Sequence, residues 1–457
     1  MVEMLCVKPQ PPDWFISHWW GHPVVSFAAC MKAHMATRRL PADTSYWICA
    51  YANRQHTLQS EIHADPKKCS FFKALETAEF HVLVILDDQA TPFTRIWCAF
   101  EETMCLDRPA APLDFAVNTA NSVELLTQGL TAEEEQLEQT HPTAGVFAKS
   151  ARERGFPLEV AALAMNTRLE LAQASVEADR VHILNCIAGR RLDEEVLLQH
   201  ARYAETNKRL HALFAAFLWQ RIWAEAPPPS QKAGAGLPRG KAPRRSSADA
   251  GGPSAASVQK AASRALRSDV WRKGLGMNLD GICSLGLLSF MDSLPPNIRK
   301  LSLNLRAAKL SDDDVKQFAD KLPKKLEAVS LDMSNCSEVT DEGISAITRR
   351  LDFDATVVQV RMVNTKVSEA TQSWYNVQKK VRERRERAAT KIQAAFRAAV
   401  VRRHFRELLP QAAKRRAAEE AQAAKRRAAE EAEAAERERR QQEEAKRKAA
   451  EEEEEQV

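Results

Sequence analysis

Short apolar runs alternate with segments of helical periodicity in the first part of the chain. Four runs are rich in apolar side chains and end in turn residues, as buried strands do; they lie at residues 14–18, 46–51, 82–86 and 113–117. Between them, apolar residues recur with helical spacing at 25–35 and 71–78. Strands that alternate with helices predict an α/β domain whose parallel sheet is covered on both faces.

Two segments of different composition follow. Ala, Leu, Glu and Arg dominate residues 126–225, and apolar residues keep a helical spacing at 160–178, 179–188 and 210–219. We therefore expect a helical extension packed on the sheet domain. Residues 226–265 are rich in Pro, Gly, Ala, Ser and basic residues and have almost no large apolar side chains. That composition predicts a disordered linker.

Residues 270–375 contain an internal repeat. One apolar triplet recurs at an offset of 28 residues and again further on, as Ile298, Leu301 and Leu303, then Leu326, Val329 and Leu331, then Val357, Val360 and Met362. Ser311 and Thr340 follow the first two triplets and are good helix N-caps. A strand and a helix per repeat resemble leucine-rich repeats of the long kind, with residues 279–294 as a cap and a protein partner on the array.

Residues 379–457 read as a helix. Within it, Ile392, Gln393, Phe396, Arg397 and Arg402 stand at the spacing of the IQ motif, and this stretch resembles the calmodulin-binding helices of that family. The apolar residues form one stripe at helical spacing, and the arginines beside it can pair with an acidic partner. We expect calmodulin or a calmodulin-like protein to bind there.

After the motif, the helix continues as a charged tail. Residues 413–420 recur as residues 424–431, and only Ala fills the apolar positions. Because Ala buries little surface, we expect a solvated charged helix that serves as a spacer. A coiled coil that oligomerises is the alternative.

Composition and charge limit the partners and the cellular compartment that we expect for this protein. The 66 basic and 61 acidic residues give a net charge of +5, which does not argue for nucleic acid as a partner. The nine cysteines include no CxxC pair, as expected of reduced thiols in a cytoplasmic protein. We find no signal peptide and no apolar run of about 18 residues, so we expect no transmembrane segment.

The apolar run at residues 82–86 and the segment after it resemble the TIR domain family. The third strand of TIR domains leads through a short loop to a Trp and, four residues later, a Glu, which here are Trp97 and Glu101. Residues 15–18, Phe-Ile-Ser-His, resemble the opening of many TIR domains. The resemblance covers residues 10–125. It implies a flavodoxin-like parallel sheet, a last strand that the pattern does not place, and self-association through this domain.

The resemblance implies one of two activities. Some TIR domains cleave NAD at the bond between nicotinamide and ribose, and others only assemble and signal. In the first case NAD is a substrate rather than a cofactor, and Glu101 is the catalytic residue that stabilises the oxocarbenium-like transition state. Trp97 would wall the pocket, and Ser17 and His18 would lie near the nucleotide. Glu102 should point about 100° away on the helix.

Each of these residues also has a purely structural interpretation. Glu101 could be a solvent-exposed acid in the first turn of a helix, where the helix dipole favours it. Trp97 could belong to the core, and we expect Cys98 to be a buried apolar residue rather than a nucleophile. The loop at residues 19–23 is bulkier than usual in TIR domains, which predicts an altered or occluded pocket.

The sequence shows no pattern typical of a metal site or of another nucleotide-binding or kinase motif. No two Cys residues have CxxC spacing, and His18 and His22, which are four residues apart, lie in a predicted strand and turn rather than on a helix. We therefore expect no metal site. The chain has no P-loop, no GxGxxG and no kinase signature. The open alternatives are an NAD-cleaving signalling protein, a non-enzymatic scaffold with TIR-like and leucine-rich-repeat parts, and a cytoskeletal or flagellar adaptor.

Overall fold

The computed structural model describes residues 10–53, 63–108, 110–225, 255–351 and 357–373, together with residues 436 and 439. The chain falls into two compact units, Met1–Val377 and Gln378–Val457. Every strand and helix given below belongs to the first unit. The predicted IQ helix and most of the charged tail lie outside the described residues, as does the first part of the predicted linker.

Five strands form the first sheet: β1 (Trp14–His18), β2 (Tyr46–Ile48), β3 (Val82–Leu86), β4 (Leu113–Asn118) and β5 (Val123–Leu126). Their order is β2-β1-β3-β4-β5, with β3 between two parallel neighbours. The expectation of an all-parallel, flavodoxin-like sheet is wrong at β5, which runs antiparallel to β4. Only residues 119–122 join these two strands, and a parallel crossover needs a much longer connection.

Helices connect the parallel strands and cover both faces of the sheet: α1 (Val24–Arg38), α2 (Cys49–Ala52), α3 (Ser70–Thr77) and α4 (Ile96–Leu106). Ile16, Leu83 and Ile85 pack with Phe27 of α1 on one face. Alternate residues of the same strands, such as Phe15, Val82 and Val84, pack on the other face with Phe100 of α4. The predicted two-sided burial is confirmed, because successive side chains of each strand are buried.

The extension after β5 consists of five helices: α5 (Ala132–Thr140), α6 (Ala144–Arg152), α7 (Leu158–Ala164), α8 (Glu177–Ala188) and α9 (Ala201–Glu225). Short 3₁₀ turns lie at Pro66–Lys68, Thr91–Thr94, Glu153–Gly155 and Leu169–Leu171. No described helix is long and apolar enough to cross a membrane.

Three predicted segments differ from the structure. The run at 46–51 is a strand only to Ile48 and then turns into α2. The helix expected at 160–178 ends at Ala164, because residues 172–174 bend back to hydrogen-bond beside the start of α4. The linker expected at 226–265 gives way to helix α10 (Ala255–Ser268).

Helix α10 has an amphipathic pattern that its many small residues hide in the sequence. Ala262 and Leu266 are fully buried against the core, and Val258 packs beside them at helical spacing. The indole Nε1 of Trp219 in α9 donates a hydrogen bond to Ser263 Oγ at 3.1 Å. Packing against a neighbouring helix therefore supplies the stability that the segment's composition does not suggest.

Asp114 in β4 fastens α1 to the sheet. Arg38 of α1 donates two hydrogen bonds to its carboxylate, from Nη2 at 2.7 Å and from Nε at 2.8 Å. His34 Nε2 lies 3.1 Å from the same group, and Tyr46 OH lies 2.8 Å from His34 Nδ1. Burial by itself raises the pKa of Asp114, but the hydrogen bonds from His34 and Arg38 outweigh it and lower the pKa to about 2.

The second sheet is parallel and has four strands: β6 (Gly274–Asn278), β7 (Lys300–Asn304), β8 (Ala328–Asp332) and β9 (Val357–Arg361). Helices α11 (Ser284–Met291), α12 (Asp312–Lys321) and α13 (Asp341–Arg350) alternate with them. The predicted N-caps are confirmed, since the side chains of Ser311 and Thr340 accept hydrogen bonds from first-turn N–H groups.

The array begins one repeat earlier than expected. Residues 279–294 are not a separate cap, because strand β6 precedes them and pairs in register with β7. Leu275, Leu301, Val329 and Val358 stand side by side across the four strands. Glycines at 274 and 276 conceal the apolar pattern of β6 in the sequence.

One face of the second sheet lies against the helical extension. Ser302 Oγ in β7 donates a hydrogen bond to Glu138 Oε1 at 2.6 Å, and Asn278 N in β6 donates to Gln220 Oε1 at 2.8 Å. A Cβ atom added at Gly276 would lie 2.5 Å from Val146 Cγ2 of α6. The β6–β7 end of this face is therefore occupied by the extension.

Candidate functional site

A cavity of about 400 Å³ opens at the carboxyl ends of β1 and β2. In a sheet of this order the direction of strand succession reverses beside β1, and α/β sheets bind their ligands at such a point. The cavity has the volume of a small-molecule site. Its walls combine aromatic, acidic and basic side chains with two thiols; they include His18, Trp19, Trp20, Cys49, Phe71, Arg95, Trp97, Cys98, Glu101 and Asp179.

Glu101 lines this cavity from the second turn of α4. Its side chain is not the exposed first-turn acid of the structural interpretation, because only 4% of the residue is exposed. Burial raises the pKa of Glu101 to about 8, and an interaction with the Ser17 hydroxyl opposes the shift. The carboxyl group is therefore largely protonated at neutral pH.

Ser17 and His18 end strand β1, and both are buried. His18 lines the cavity, whereas Ser17 lies behind it, beside Glu101. Burial lowers the pKa of His18 to about 4, so its imidazole is neutral. Within the described part of the chain, His18 Nδ1 has no hydrogen-bond partner although only 8% of the residue is exposed.

Trp97 is both a wall of the cavity and a part of the core. Its ring stacks on Phe71 with centroids 5.1 Å apart. Its indole Nε1 donates a hydrogen bond to Asp179 Oδ2 at 3.2 Å. The same side chain thus joins α4 to helix α8 of the extension.

The two thiols at the cavity have raised pKa values. Burial raises the pKa of Cys49 to about 12 and raises the pKa of Cys98 well above its usual range. Both groups therefore stay protonated, in line with the interpretation of Cys98 as a buried apolar residue. Trp20, in the bulky loop after β1, donates from Nε1 to Cys49 Sγ at 2.8 Å, which places this loop at the cavity.

The sequence did not predict the part of the cavity wall that the helical extension forms. Gln173 O accepts a hydrogen bond from Ile96 N at 2.9 Å, and Gln173 N donates to Thr94 O at 2.8 Å, so the extension runs beside the start of α4. Arg95 Nη2 donates to Ser175 Oγ at 3.1 Å. The position of Arg95 directly before the helix was a usable signal. No local pattern could place Ser175 or Asp179, because they lie about 80 residues away in a segment predicted as helix.

Glu102 differs from its neighbour. It is 2% exposed, and it does not line the cavity. Its pKa is raised well above the usual range by burial and by the adjacent Glu101. Within the described residues its Oε1 has no hydrogen-bond partner. The predicted divergence of the two side chains on the helix agrees with this difference.

A larger cavity of about 550 Å³ lies between the second sheet and the extension. Its buried charges are already matched, because Lys149 Nζ donates hydrogen bonds to Glu153 and to Thr127. We therefore assign the chemistry to the smaller cavity. Among the described residues, no cluster of His, Cys, Asp or Glu side chains could hold a metal ion.

Comparison with known proteins identifies one motif. Residues 386–406 match the family model of the IQ calmodulin-binding motif. The chain carries an IQ motif. It includes Ile392, Gln393, Phe396, Arg397 and Arg402, so it supports the expected binding of calmodulin. No curated protein and no solved structure matches the chain.

Proposed function

We propose that the first unit hydrolyses NAD at the bond between nicotinamide and ribose, with Glu101 as the catalytic carboxyl. The observation that carries this proposal is the place of Glu101: a buried carboxyl in the wall of a cavity at the carboxyl ends of the parallel strands. Trp97, four residues earlier, lies in the same wall. Ser17 and His18 supply further polar groups at that point.

Resemblance to TIR domains adds support. The strand order β2-β1-β3-β4-β5 is the order of flavodoxin-like sheets, although β5 is reversed. The paired Trp and Glu stand at the start of the helix after the central strand, as the resemblance implies. In the second sheet, one strand and one helix per repeat support the resemblance to leucine-rich repeats.

The reaction breaks the C–N bond between ribose C1′ and the pyridinium nitrogen. The bonding electrons leave with the nitrogen, which neutralises the ring and releases nicotinamide. The positive charge passes to C1′ and the ring oxygen of the ribose, and a carboxylate facing them stabilises it electrostatically. Water then adds to C1′ and loses a proton, so that NAD and water give ADP-ribose, nicotinamide and one proton.

Glu101 must be ionised to perform this role. Without substrate the carboxyl is held protonated by burial, which raises its pKa to about 8. A pyridinium ring beside it favours the carboxylate, because an opposite charge at close range lowers a carboxyl pKa. Substrate binding thus releases the proton that burial retains. The neutral His18 imidazole can accept a hydrogen bond from a ribose hydroxyl.

The test is nicotinamide release from NAD by the full chain at high protein concentration. We expect wild-type protein to release nicotinamide and Glu101→Gln to lose at least about a hundredfold in kcat, since it cannot carry the charge. Glu102→Gln is the matched control, because it changes a buried carboxyl of the same helix that does not line the cavity. Equal rates for wild type and Glu101→Gln would remove Glu101 from the mechanism.

We also propose that calmodulin binding at residues 386–406 controls this activity, with the repeat array as a site for a protein partner. The IQ motif supports the first part. For the second, the exposed side of α12 and α13 presents charged residues such as Asp313, Glu342 and Lys316. If wild-type protein releases no nicotinamide, the same layout serves a non-enzymatic scaffold.

A further inference from the structure

Arg95 gives the cavity a charge that the proposed reaction does not use. It directly precedes α4, and its side chain lines the cavity together with Glu101 and Asp179. Its Nη2 bonds to Ser175 Oγ, a neutral partner. Among the described residues, no carboxylate lies within 4 Å of the Arg95 guanidinium. A cation without an acidic partner in a cavity wall is available to an anionic ligand.

The backbone reinforces this charge. Residues 95–98 line the cavity, and they are the start of an 11-residue helix. The N–H groups and dipole of a helix N-terminus attract anions, phosphate above all. At this helix the N–H of Ile96 is already bonded to Gln173 O, so the dipole and the N–H groups of the next residues provide the attraction. His18, whose buried Nδ1 has no hydrogen-bond partner among the described residues, lines the same cavity.

Arg95 and Glu101 place a basic group and an acidic group at different positions along α4. Arg95 is partly exposed at the mouth, whereas Glu101 is buried inside. Six residues separate them, which is about 9 Å along a helix axis. A ligand that matches this order carries an anion at its outer end and a cation at its inner end. A pyridinium nucleotide has that arrangement, since its phosphate follows the ribose that bears the cationic ring.

We propose that Arg95 binds the phosphate attached to the ribose of a pyridinium nucleotide, so that the cavity prefers phosphate-bearing substrates to nicotinamide riboside. The choice of a pyridinium nucleotide rests on the proposed function. The guanidinium has nitrogens beyond the one that bonds to Ser175, and its planar fork suits two phosphate oxygens. Ser175 orients the side chain from the extension, so residues outside the TIR-like part set the preference.

The test compares Arg95→Gln with wild type in the full chain by two measurements. The first is the affinity for ADP-ribose, titrated by calorimetry; the second is nicotinamide release from nicotinamide riboside, which has no phosphate. We expect the Kd for ADP-ribose to rise at least about tenfold and the release from nicotinamide riboside to stay unchanged. Arg95→Lys should recover part of the affinity, because it restores the charge without the fork.

Arg191→Gln is the control, since this exposed arginine pairs with Asp193 away from the cavity. An unchanged affinity for ADP-ribose in Arg95→Gln, or no binding by wild type, would overturn the inference. So would an equal fall in both measurements, which would make Arg95 a support of the cavity wall. If wild type releases no nicotinamide from any substrate but binds ADP-ribose through Arg95, the phosphate site stands and the proposed hydrolysis fails.

Discussion

Glu101 and Glu102 are adjacent on α4 and equally buried, yet only Glu101 reaches the cavity. A helix turns by about 100° per residue, so one position separates a cavity wall from the packed interior. The Trp and Glu four residues apart on this helix therefore predicted from the sequence which of the two acids lines the cavity. Arg95 and Asp179 were not predicted as cavity residues, because their positions depend on a chain segment that folds back from the extension.

The buried carboxyl of Glu101 should make the stability of the protein depend on pH. Its folded-state pKa of about 8 lies above the usual 4.5, so the unfolded chain loses this proton first. The free energy of unfolding therefore falls as pH rises from 4.5 to about 8, by on the order of 4 kcal/mol from this group. Urea unfolding of wild type and Glu101→Gln across this range measures the effect.

Glu101→Gln lacks the titrating group, so it should gain stability relative to wild type as the pH rises. Parallel stability curves for the two proteins would show that burial does not hold this proton. Because Glu101 itself contributes to the raised pKa of Glu102, the same comparison is repeated with Glu102→Gln in both proteins, where the second buried carboxyl of α4 is absent.

The sequence correctly predicted the elements that consist mainly of large apolar residues. Strands β1, β3 and β4 are runs of buried residues, and the structure confirms them. Strand β6 and helix α10 were missed because Gly, Ala and Ser fill many of their positions. Small residues reveal little of their burial in a sequence, and here tertiary packing decides their structure.

Close packing of β6 on α6 predicts opposite outcomes for two glycines of one strand. A Cβ at Gly276 would meet Val146 Cγ2 at 2.5 Å, whereas the nearest atom to a Cβ at Gly274 is 3.9 Å away. Gly276→Val should therefore destabilise the first unit by about 1–3 kcal/mol through overpacking. Gly274→Val, on the same face, should stay near wild type.

Thermal unfolding of both glycine variants tests this contact. A lower midpoint for Gly276→Val alone agrees with the packing of the second sheet on the extension. Equal midpoints for the two variants would mean that β6 does not lie against α6.

At the scale of the whole molecule, the sequence predicted the order of the parts but not how the parts of the first unit meet. The repeat array faces the extension through Ser302 and Glu138, which are 164 residues apart. No periodicity in the sequence links such distant positions, because each contributes a single polar atom. The IQ motif, in contrast, could be predicted from the sequence, because its residues lie close together along the chain. The family model matches it.

Calmodulin binding should depend on the apolar stripe of the predicted IQ helix. Ile392→Glu places a charge on the apolar stripe and should weaken calmodulin binding by the full chain at least about tenfold. Ala394→Glu adds the same charge about 200° around the helix and should leave the affinity nearly unchanged. Calorimetric titration with and without calcium compares them. Equal losses in both variants would contradict docking through the Ile392 stripe.

The proposed catalysis is tested most directly by the pH dependence of nicotinamide release from NAD. The free enzyme must lose the Glu101 proton, so kcat/KM should rise with pH and level off above about pH 8. The Glu101→Gln variant should show no such rise at any pH. Absence of release by wild type from pH 6 to pH 9, which is from about two units below that pKa to about one unit above it, or a rise that persists in Glu101→Gln, would contradict the account.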